Sequence, residues 1–353
     1  MKNFFKIIFI NIIIFFSLIG MIVFIPIVAY ESYHLYKNIK KQEDSNSAFL
    51  KEFKKLKFLY SDYTTYKLDE FKGAFINIDN NGNRKTVLSK NLDKKAPLFF
   101  FFGPSTIWGL GLKDEKTIPS VFSLRNNVNV ENFSTPGYTS RQSLAKLINF
   151  YIQNPLSNKK RIIIFNDGGI DIYFNCDKKN ILTNTQQTQR LEDLFNDNIL
   201  SSNFIIKPVS IFVKKIWDRI FYDELKDSKL CTQENIEAIS KLMINNWLMA
   251  RKIVESHGDI FISVLTPISF ENSLNISSDL KIPKYKQIAI EKAYEFLRKK
   301  ISSDSEINFI DLSNILYKNP DAYIDSMHYS DIGSEIYVKE LTKEINKLKL
   351  LEE

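Results

Sequence analysis

The sequence predicts an α/β protein organised on a doubly wound sheet of five parallel strands, and three observations lead there. Short apolar runs at 98–102, 127–133, 162–165, 260–265 and 307–310 have strand length. Each of the first four ends against breakers such as Gly103-Pro104 or Thr266-Pro267. Stretches with helical spacing alternate with them at 117–125, 140–153, 234–255, 285–301 and 331–348. The chain is most sharply marked at residues 97–106, Pro-Leu-Phe-Phe-Phe-Phe-Gly-Pro-Ser-Thr, where an apolar run stops at Gly103-Pro104 and Ser105 lies just past the stop. In open parallel sheets ligands bind outside the carboxyl ends of strands, so Ser105 stands where chemistry is expected.

Taken in order, the chain first shows Ile7 to Ala29, an apolar run broken only by Asn11, Ser17, Gly20 and Pro26. About 20 apolar residues span a bilayer, and Ile27-Val28-Ala29 is a poor cleavage site, so an uncleaved anchor is expected in place of a removed signal. A short basic N-terminus with Lys2 and Lys6 favours the N-inside orientation. Residues 31–60 are charged and helical in character, and the segment 31–70 is read as a helical stalk or linker. Within 74–88, alternating residues flank Asp79-Asn80-Asn81-Gly82, a hairpin signal. Residues 185–228 are irregular. The helix 234–255 closes at Ser256-His257-Gly258, and the last helix, 331–348, spaces Ile332, Ile336, Val338, Leu341 and Ile345 for burial. The expected organisation is an anchor over 1–30, a stalk over 31–70 and one domain over 71–353, with a flavodoxin-like sheet.

Composition narrows the function. Hydrophobic content of 44% and charged content of 25% are ordinary for a globular protein. The net charge of +7 is scattered, and a nucleic-acid surface would need a clustered patch, so no nucleic-acid partner is expected. The two cysteines, Cys176 and Cys231, lack metal-ligand spacing; one disulfide or two buried thiols are both compatible with them. With three histidines in the chain, His34, His257 and His328, any His-dependent chemistry has few candidates. His34 lies beside the apolar run, and His257 sits at a helix end.

Four points align on one edge of the expected sheet. Ser105 follows the first strand, Ser134-Thr135-Pro136-Gly137-Tyr138 the second, and Asp167-Gly168-Gly169-Ile170-Asp171 the third. Asp325-Ser326-Met327-His328 precedes the last helix. A serine hydroxyl needs a base, and His328 can be that base. Asp325, three residues earlier, can hold the imidazole tautomer, while the backbone N–H groups of Ser105 and Gly137 can face a developing oxyanion. The bland readings are a turn glycine at 137 and structural carboxylates at Asp171 and Asp311.

The order and spacing of these blocks resemble the SGNH/GDSL hydrolase superfamily, closest to membrane-anchored bacterial members. The resemblance rests on Gly103-Pro104-Ser105-Thr106-Ile107-Trp108-Gly109-Leu110-Gly111, Asp79-Asn-Asn-Gly-Asn-Arg84, Pro136-Gly-Tyr-Thr-Ser140, Thr266-Pro267 and Asp325-Ser-Met-His-Tyr-Ser-Asp-Ile-Gly333, over roughly 70–348. It implies a serine esterase with Ser105, His328 and Asp325 as catalytic residues and Ser105 and Gly137 in the oxyanion hole. No cofactor or metal is needed. It further implies a small-molecule or glycan ester substrate, with O-acetyl groups of an envelope glycan one candidate, and a single-pass inner-membrane protein held by residues 7–29 with an extracytoplasmic domain. Two departures stand out. Ile170 occupies the place of the family's oxyanion Asn, and an isoleucine donates no hydrogen bond. Pro104 removes a backbone N–H before the nucleophile. Asn166 can offer an amide in compensation or sit within the strand end. Acyl transfer to a sugar hydroxyl, and a catalytically degenerate protein that binds glycan or an envelope-assembly partner, are the alternative readings.

Overall fold

The computed structural model describes residues 48–93, 95–155, 157–177, 231–269, 282–302, 307–317 and 319–351. The anchor expected at 7–29, the first part of the stalk and the irregular stretch at 185–228 lie outside the described residues. Among the described residues no helix is long and apolar enough to cross a membrane. The chain divides into two compact units, Met1–Lys54 and Lys55–Glu353. In the first, the described element is the helix Ala48–Phe53, whose Phe49 and Phe53 rings stack with centroids 6.2 Å apart.

The second unit is built on five parallel strands: β5 (Leu98–Phe102), β6 (Asn129–Asn132), β7 (Arg161–Asp167), β8 (Ile260–Leu265) and β9 (Phe309–Asp311). Their order is β6-β5-β7-β8-β9. The chain therefore steps outward from β5 to β6, returns past β5 to β7 and continues the other way, which is the doubly wound flavodoxin-like order. Side chains alternate between the two faces, and helices cover both. Phe100, Phe102, Ile163 and Phe165 pack under the helices Ser140–Gln153, Gln233–Ser256 and Lys284–Ser302. Phe99, Phe101, Ile162 and Ile164 pack under Ile118–Asn126 and Asp331–Lys347. Double coverage explains why these strands read as unbroken apolar runs. Burying one such phenylalanine is worth up to about 3 kcal/mol.

The expected helices are present within a residue or two of their sequence-derived limits, and three strands differ. β7 runs on through Asn166 and Asp167, which stay in register with Val264 and Leu265. These polar residues remain in the strand because buried partners satisfy them. β6 is trimmed to 129–132 and β9 is displaced to 309–311.

The helical character assigned to the stalk fails at its end. Phe58–Ser61 (β1) and Thr65–Leu68 (β2) form an antiparallel hairpin within the second unit. Alternating aromatic and β-branched residues outweigh the surrounding lysines there. Two short strands follow, β3 (Phe71–Lys72) and β4 (Asn77–Ile78). The turn expected at Asp79–Gly82 is present. The Asp79 carboxylate accepts the N–H groups of Asn81 and Asn83 at 2.9 and 2.8 Å. Beyond it the pairing is a single bridge, Ile78 to Arg84, and Arg84 in turn bridges to Asn132 on β6.

Cys176 and Cys231 form a disulfide. His257 caps the Gln233–Ser256 helix, with Nδ1 2.8 Å from the Ile253 carbonyl oxygen and its ring stacked on Tyr151.

Candidate active site

Helices leave β5 and β7 toward opposite faces of the sheet, which opens a crevice at their carboxyl ends. Gly103 and Pro104 end β5 at this crevice. Gly103 has φ +156°, and a Cβ there would meet the Asn166 carbonyl oxygen at 2.7 Å, so no side chain fits. Ser105 then opens a one-turn helix, Ser105–Trp108. As its first residue, Ser105 keeps its own N–H outside the helical hydrogen-bond pattern. Among the described residues that N–H has no hydrogen-bond partner. Gly109 closes the turn in the left-handed region, donating its N–H to the Ser105 carbonyl at 2.9 Å.

His328 arrives from the other end of the chain. Its Nε2 lies 2.7 Å from Ser105 Oγ across 223 residues of sequence. Its Nδ1 lies 2.7 Å from Asp325 Oδ2. The second Asp325 oxygen accepts the N–H groups of Met327 and His328, each at 2.8 Å. This tight turn fixes carboxylate and imidazole in one geometry. Burial would raise the Asp325 pKa, but the hydrogen bonds and charge of His328, with the two backbone N–H groups, outweigh it and hold the carboxyl below its ordinary range. The turn is tied to the β8 exit, where Tyr329 donates its hydroxyl to the Pro267 carbonyl at 2.8 Å.

The loop carrying Gly137 lies beside the β5 exit. Thr135 N–H donates to the Gly103 carbonyl at 3.1 Å, and the Ser134 hydroxyl to that of Phe101 at 3.3 Å. Gly137 takes φ +80°, open to glycine at little cost. Its N–H has no hydrogen-bond partner among the described residues. Tyr66 on β2 holds the loop from behind through its hydroxyl to the Pro136 carbonyl at 2.7 Å. Asp171 holds it in front, accepting the Ser140 hydroxyl at 2.6 Å and its N–H at 3.1 Å.

The structure thus brings Ser105, His328 and Asp325 into hydrogen-bond contact and sets the Gly137 loop against the same strand end. Other candidates are placed elsewhere. Asn166 offers no free amide: its Nδ2 donates to the carbonyls of Phe102 and Ile164, and its Oδ1 accepts the Tyr337 hydroxyl at 2.8 Å. Asp311 pairs with Arg298 at 2.7 Å. Ile170 lies in the first turn of the helix Gly169–Asn175, after β7. Among the described residues no group of three or more His, Cys, Asp or Glu side chains could hold a metal.

Two features escaped the sequence reading of roles. The first is the buried pair Arg84–Asp114, with Nε and Oδ1 2.9 Å apart. Arg84 also donates to the carbonyls of Trp108, Gly109, Phe75 and Leu112, and its guanidinium lies 4.4 Å from the Trp108 ring centroid. It therefore pins the segment that follows Ser105. The only sequence signal was the Arg at the end of the Asp79–Arg84 block, because Asp114 sits in a charged run that reads as surface.

The second is the carboxyl pair Asp167 and Asp171. Trp247 donates its indole N–H to Asp167 Oδ2 at 2.7 Å, while Oδ1 has no hydrogen-bond partner among the described residues. Burial, and then the neighbouring Asp171, push Asp167 well above the usual carboxylate range. Burial raises Asp171 to about 6, against the hydrogen bonds from Ser140. Such groups bind more protons folded than unfolded between about pH 4 and 6, so stability falls as pH rises through that window. Asp325 acts in the opposite sense, but only below its unfolded pKa of about 4. Thermal melts should therefore show the transition temperature rising from pH 7 to pH 5, and Asp167→Asn should flatten the profile while keeping an acceptor for Trp247. A slope unchanged in Asp167→Asn would show that the pair is not its source.

No protein-family model and no curated protein sequence matches the chain. Solved structures do. The likeness is to GDSL-type hydrolases. A lipolytic protein of the G-D-S-L family from Veillonella parvula shares 12% identity at a TM-score of 0.42, covering 70% of this chain and 97% of its own. A GDSL-like lipase from Bacteroides thetaiotaomicron gives 12% and 0.41, covering 73% and 92%. Phospholipase A1 from Streptomyces albidoflavus gives 13% and 0.41, covering 70% and 99%. All three scores lie below 0.5, so the chemistry of this chain has to be read from its own site.

Proposed function

We propose that the chain is a serine ester hydrolase of the SGNH/GDSL type. One observation carries the reading: the relay Ser105 Oγ to His328 Nε2 to Asp325, at 2.7 and 2.7 Å, placed at a sheet crevice. Ser105 Oγ attacks the acyl carbonyl carbon as its proton passes to His328 Nε2. The N–H groups of Ser105 and Gly137 stabilise the oxyanion. His328 returns the proton to the leaving alcohol, and water then resolves the acyl-enzyme by the same route in reverse. A sugar hydroxyl in place of water would make the reaction a transfer.

The apolar run 7–29 and the Cys176–Cys231 disulfide support a membrane-anchored protein whose domain works in an oxidising, extracytoplasmic compartment. An acyl ester on an envelope glycan is the substrate proposed for it, on the resemblance of the sequence blocks.

A second reading, a binding protein that has lost catalysis, is favoured by Ile170 and by the engaged amide of Asn166, which leave the hole with backbone donors. Fluorophosphonate labelling read by intact mass separates the two. The esterase reading expects one adduct on the wild type and none on Ser105→Ala. One side-chain oxyanion donor is worth about 10²–10³ in rate, so Ile170→Asn should raise turnover of a small ester by about ten-fold or more. A folded wild type without an adduct, gaining one in Ile170→Asn, would sink the esterase reading in favour of the second.

A further inference from the structure

A cleft of about 670 Å³ is lined by residues that do not include Ser105, Gly137, Asp325 or His328. Its floor includes Leu98 and Phe100, at the start and middle of β5, whereas Ser105 lies beyond the end of that strand. The β1–β2 hairpin lines one part of the cleft and the Ser140–Gln153 helix another. None of the chemistry proposed for Ser105 uses it.

Three properties define what it would take. Two aromatic rings stand on the hairpin, Tyr60 and Tyr63, each 74% exposed. Isolated exposed tyrosines are unremarkable, but two beside one cleft offer flat apolar faces with polar edges. The backbone holds them there at a cost. Tyr63 and Thr65 both take positive φ, +65° and +70°, which is unfavourable for a β-branched threonine. The hairpin stays in place because Gln142 donates to the Thr64 carbonyl at 3.0 Å and Tyr138 donates its hydroxyl to the Tyr66 carbonyl at 2.6 Å.

Second, the cleft carries a set of side-chain amides: Asn81, Asn149, Gln153 and Asn154. A side-chain amide carries both donors and an acceptor, as a dense array of hydroxyl groups requires, and one Asn154 N–H is already given to the Phe150 carbonyl at 3.1 Å.

Third, its charges are mixed. Lys67, Lys146 and Arg161 line it together with Asp62, Asp79 and Glu131, Arg161 being paired with Asp259. Burial lowers Lys146 to about 7, opposed by Asp79 and aided by Lys67, and burial followed by Asp79 raises Glu131. A polyanion would meet the three acids and a polycation Lys67 and Lys146. The arrangement therefore selects against strongly charged ligands.

We propose that this cleft is a binding site for an uncharged oligosaccharide, with Tyr60 and Tyr63 stacking on sugar-ring faces and the amides hydrogen-bonding the hydroxyls. Lys146 connects it to the rest of the molecule, because its ammonium donates to Thr135 Oγ1 at 3.3 Å, two residues from Gly137. Binding does not depend on Ser105 being a nucleophile.

The test is saturation-transfer NMR and titration of the full chain with cellotetraose, chitotetraose, maltotetraose and, as the acidic probe, tetragalacturonate. At least one neutral tetramer should bind, more tightly than the acidic one. The double variant Tyr60→Ala/Tyr63→Ala should lose about ten-fold or more in affinity, with its melting temperature and small-ester turnover unchanged. Asn149→Ala, which keeps both rings, should weaken the same ligand. The proposal is overturned if no neutral tetramer binds, if the acidic one binds best, or if affinity survives both variants.

Discussion

Ser105→Ala should reduce turnover of p-nitrophenyl acetate by about 10⁴-fold or more while leaving the unfolding free energy within about 0.5 kcal/mol of wild type. The asymmetry follows from geometry. Among the described residues the Ser105 hydroxyl makes one hydrogen bond, to His328, so its loss removes the reacting atom and little else. Asp325→Asn should cost up to about 10⁴-fold as well, because an amide facing Nδ1 no longer selects the tautomer that leaves Nε2 free to accept a proton. In Ser105→Ala/His328→Ala the losses should not add, since the two act as one device. Steady-state kinetics on purified variants checks all three. If Ser105→Ala keeps turnover within about ten-fold of wild type, the relay is not the catalytic machinery.

Arg84→Ala should be the most damaging substitution for stability, at about 3–5 kcal/mol by urea unfolding. Its side chain is fully buried and that of Asp114 is 8% exposed. Removing the guanidinium leaves the buried Asp114 carboxylate without its counter-charge, although Asn77 Nδ2 still donates to it at 2.8 Å, and takes a hydrogen bond from each of the carbonyl oxygens of Trp108, Gly109, Phe75 and Leu112. Arg84→Lys should recover little, because one ammonium cannot reach the positions of a planar fork. Arg84→Met combined with Asp114→Leu should be less destabilised than Arg84→Met alone, since the pair leaves no unpaired charge. Turnover should fall along with stability in Arg84→Ala: Trp108 and Gly109 close the turn that Ser105 opens. A loss below about 1 kcal/mol would mean that water reaches and solvates Asp114, contrary to its burial.

The sequence blocks differ in how openly they declared their roles. Asp325 and His328 were legible as a pair because three residues of chain set their distance, and the Asp325 carboxylate closes its own turn on the following N–H groups. The run Leu98–Phe102 was legible because Gly103-Pro104 stops any strand. Asn166 was ambiguous: its fate hung on Tyr337, 171 residues away. The hairpin at 58–68 looks helical in sequence, since the lysines around it look the same in a helix and in a hairpin. Asp114 was invisible, because a charged residue in a charged run gives no sign of a buried partner 30 residues earlier.

Local pattern alone specified the α/β class, the alternation of elements and the bounds of most helices, because apolar period, breakers and caps act between near neighbours in the chain. It also marked Ser105, Gly137, Asp325 and His328 as lying at element ends. Folding in three dimensions decided the rest. The strand order β6-β5-β7-β8-β9 sets which element ends share a crevice, and packing of helices on both faces brings His328 to within 2.7 Å of Ser105. It also decided which polar groups are used up internally, as with Asn166 and Arg84. It built the cleft beside Tyr60 and Tyr63 as well. Contacts between residues far apart in the chain depend on the sum of all packing interactions, and no short stretch of sequence contains that sum.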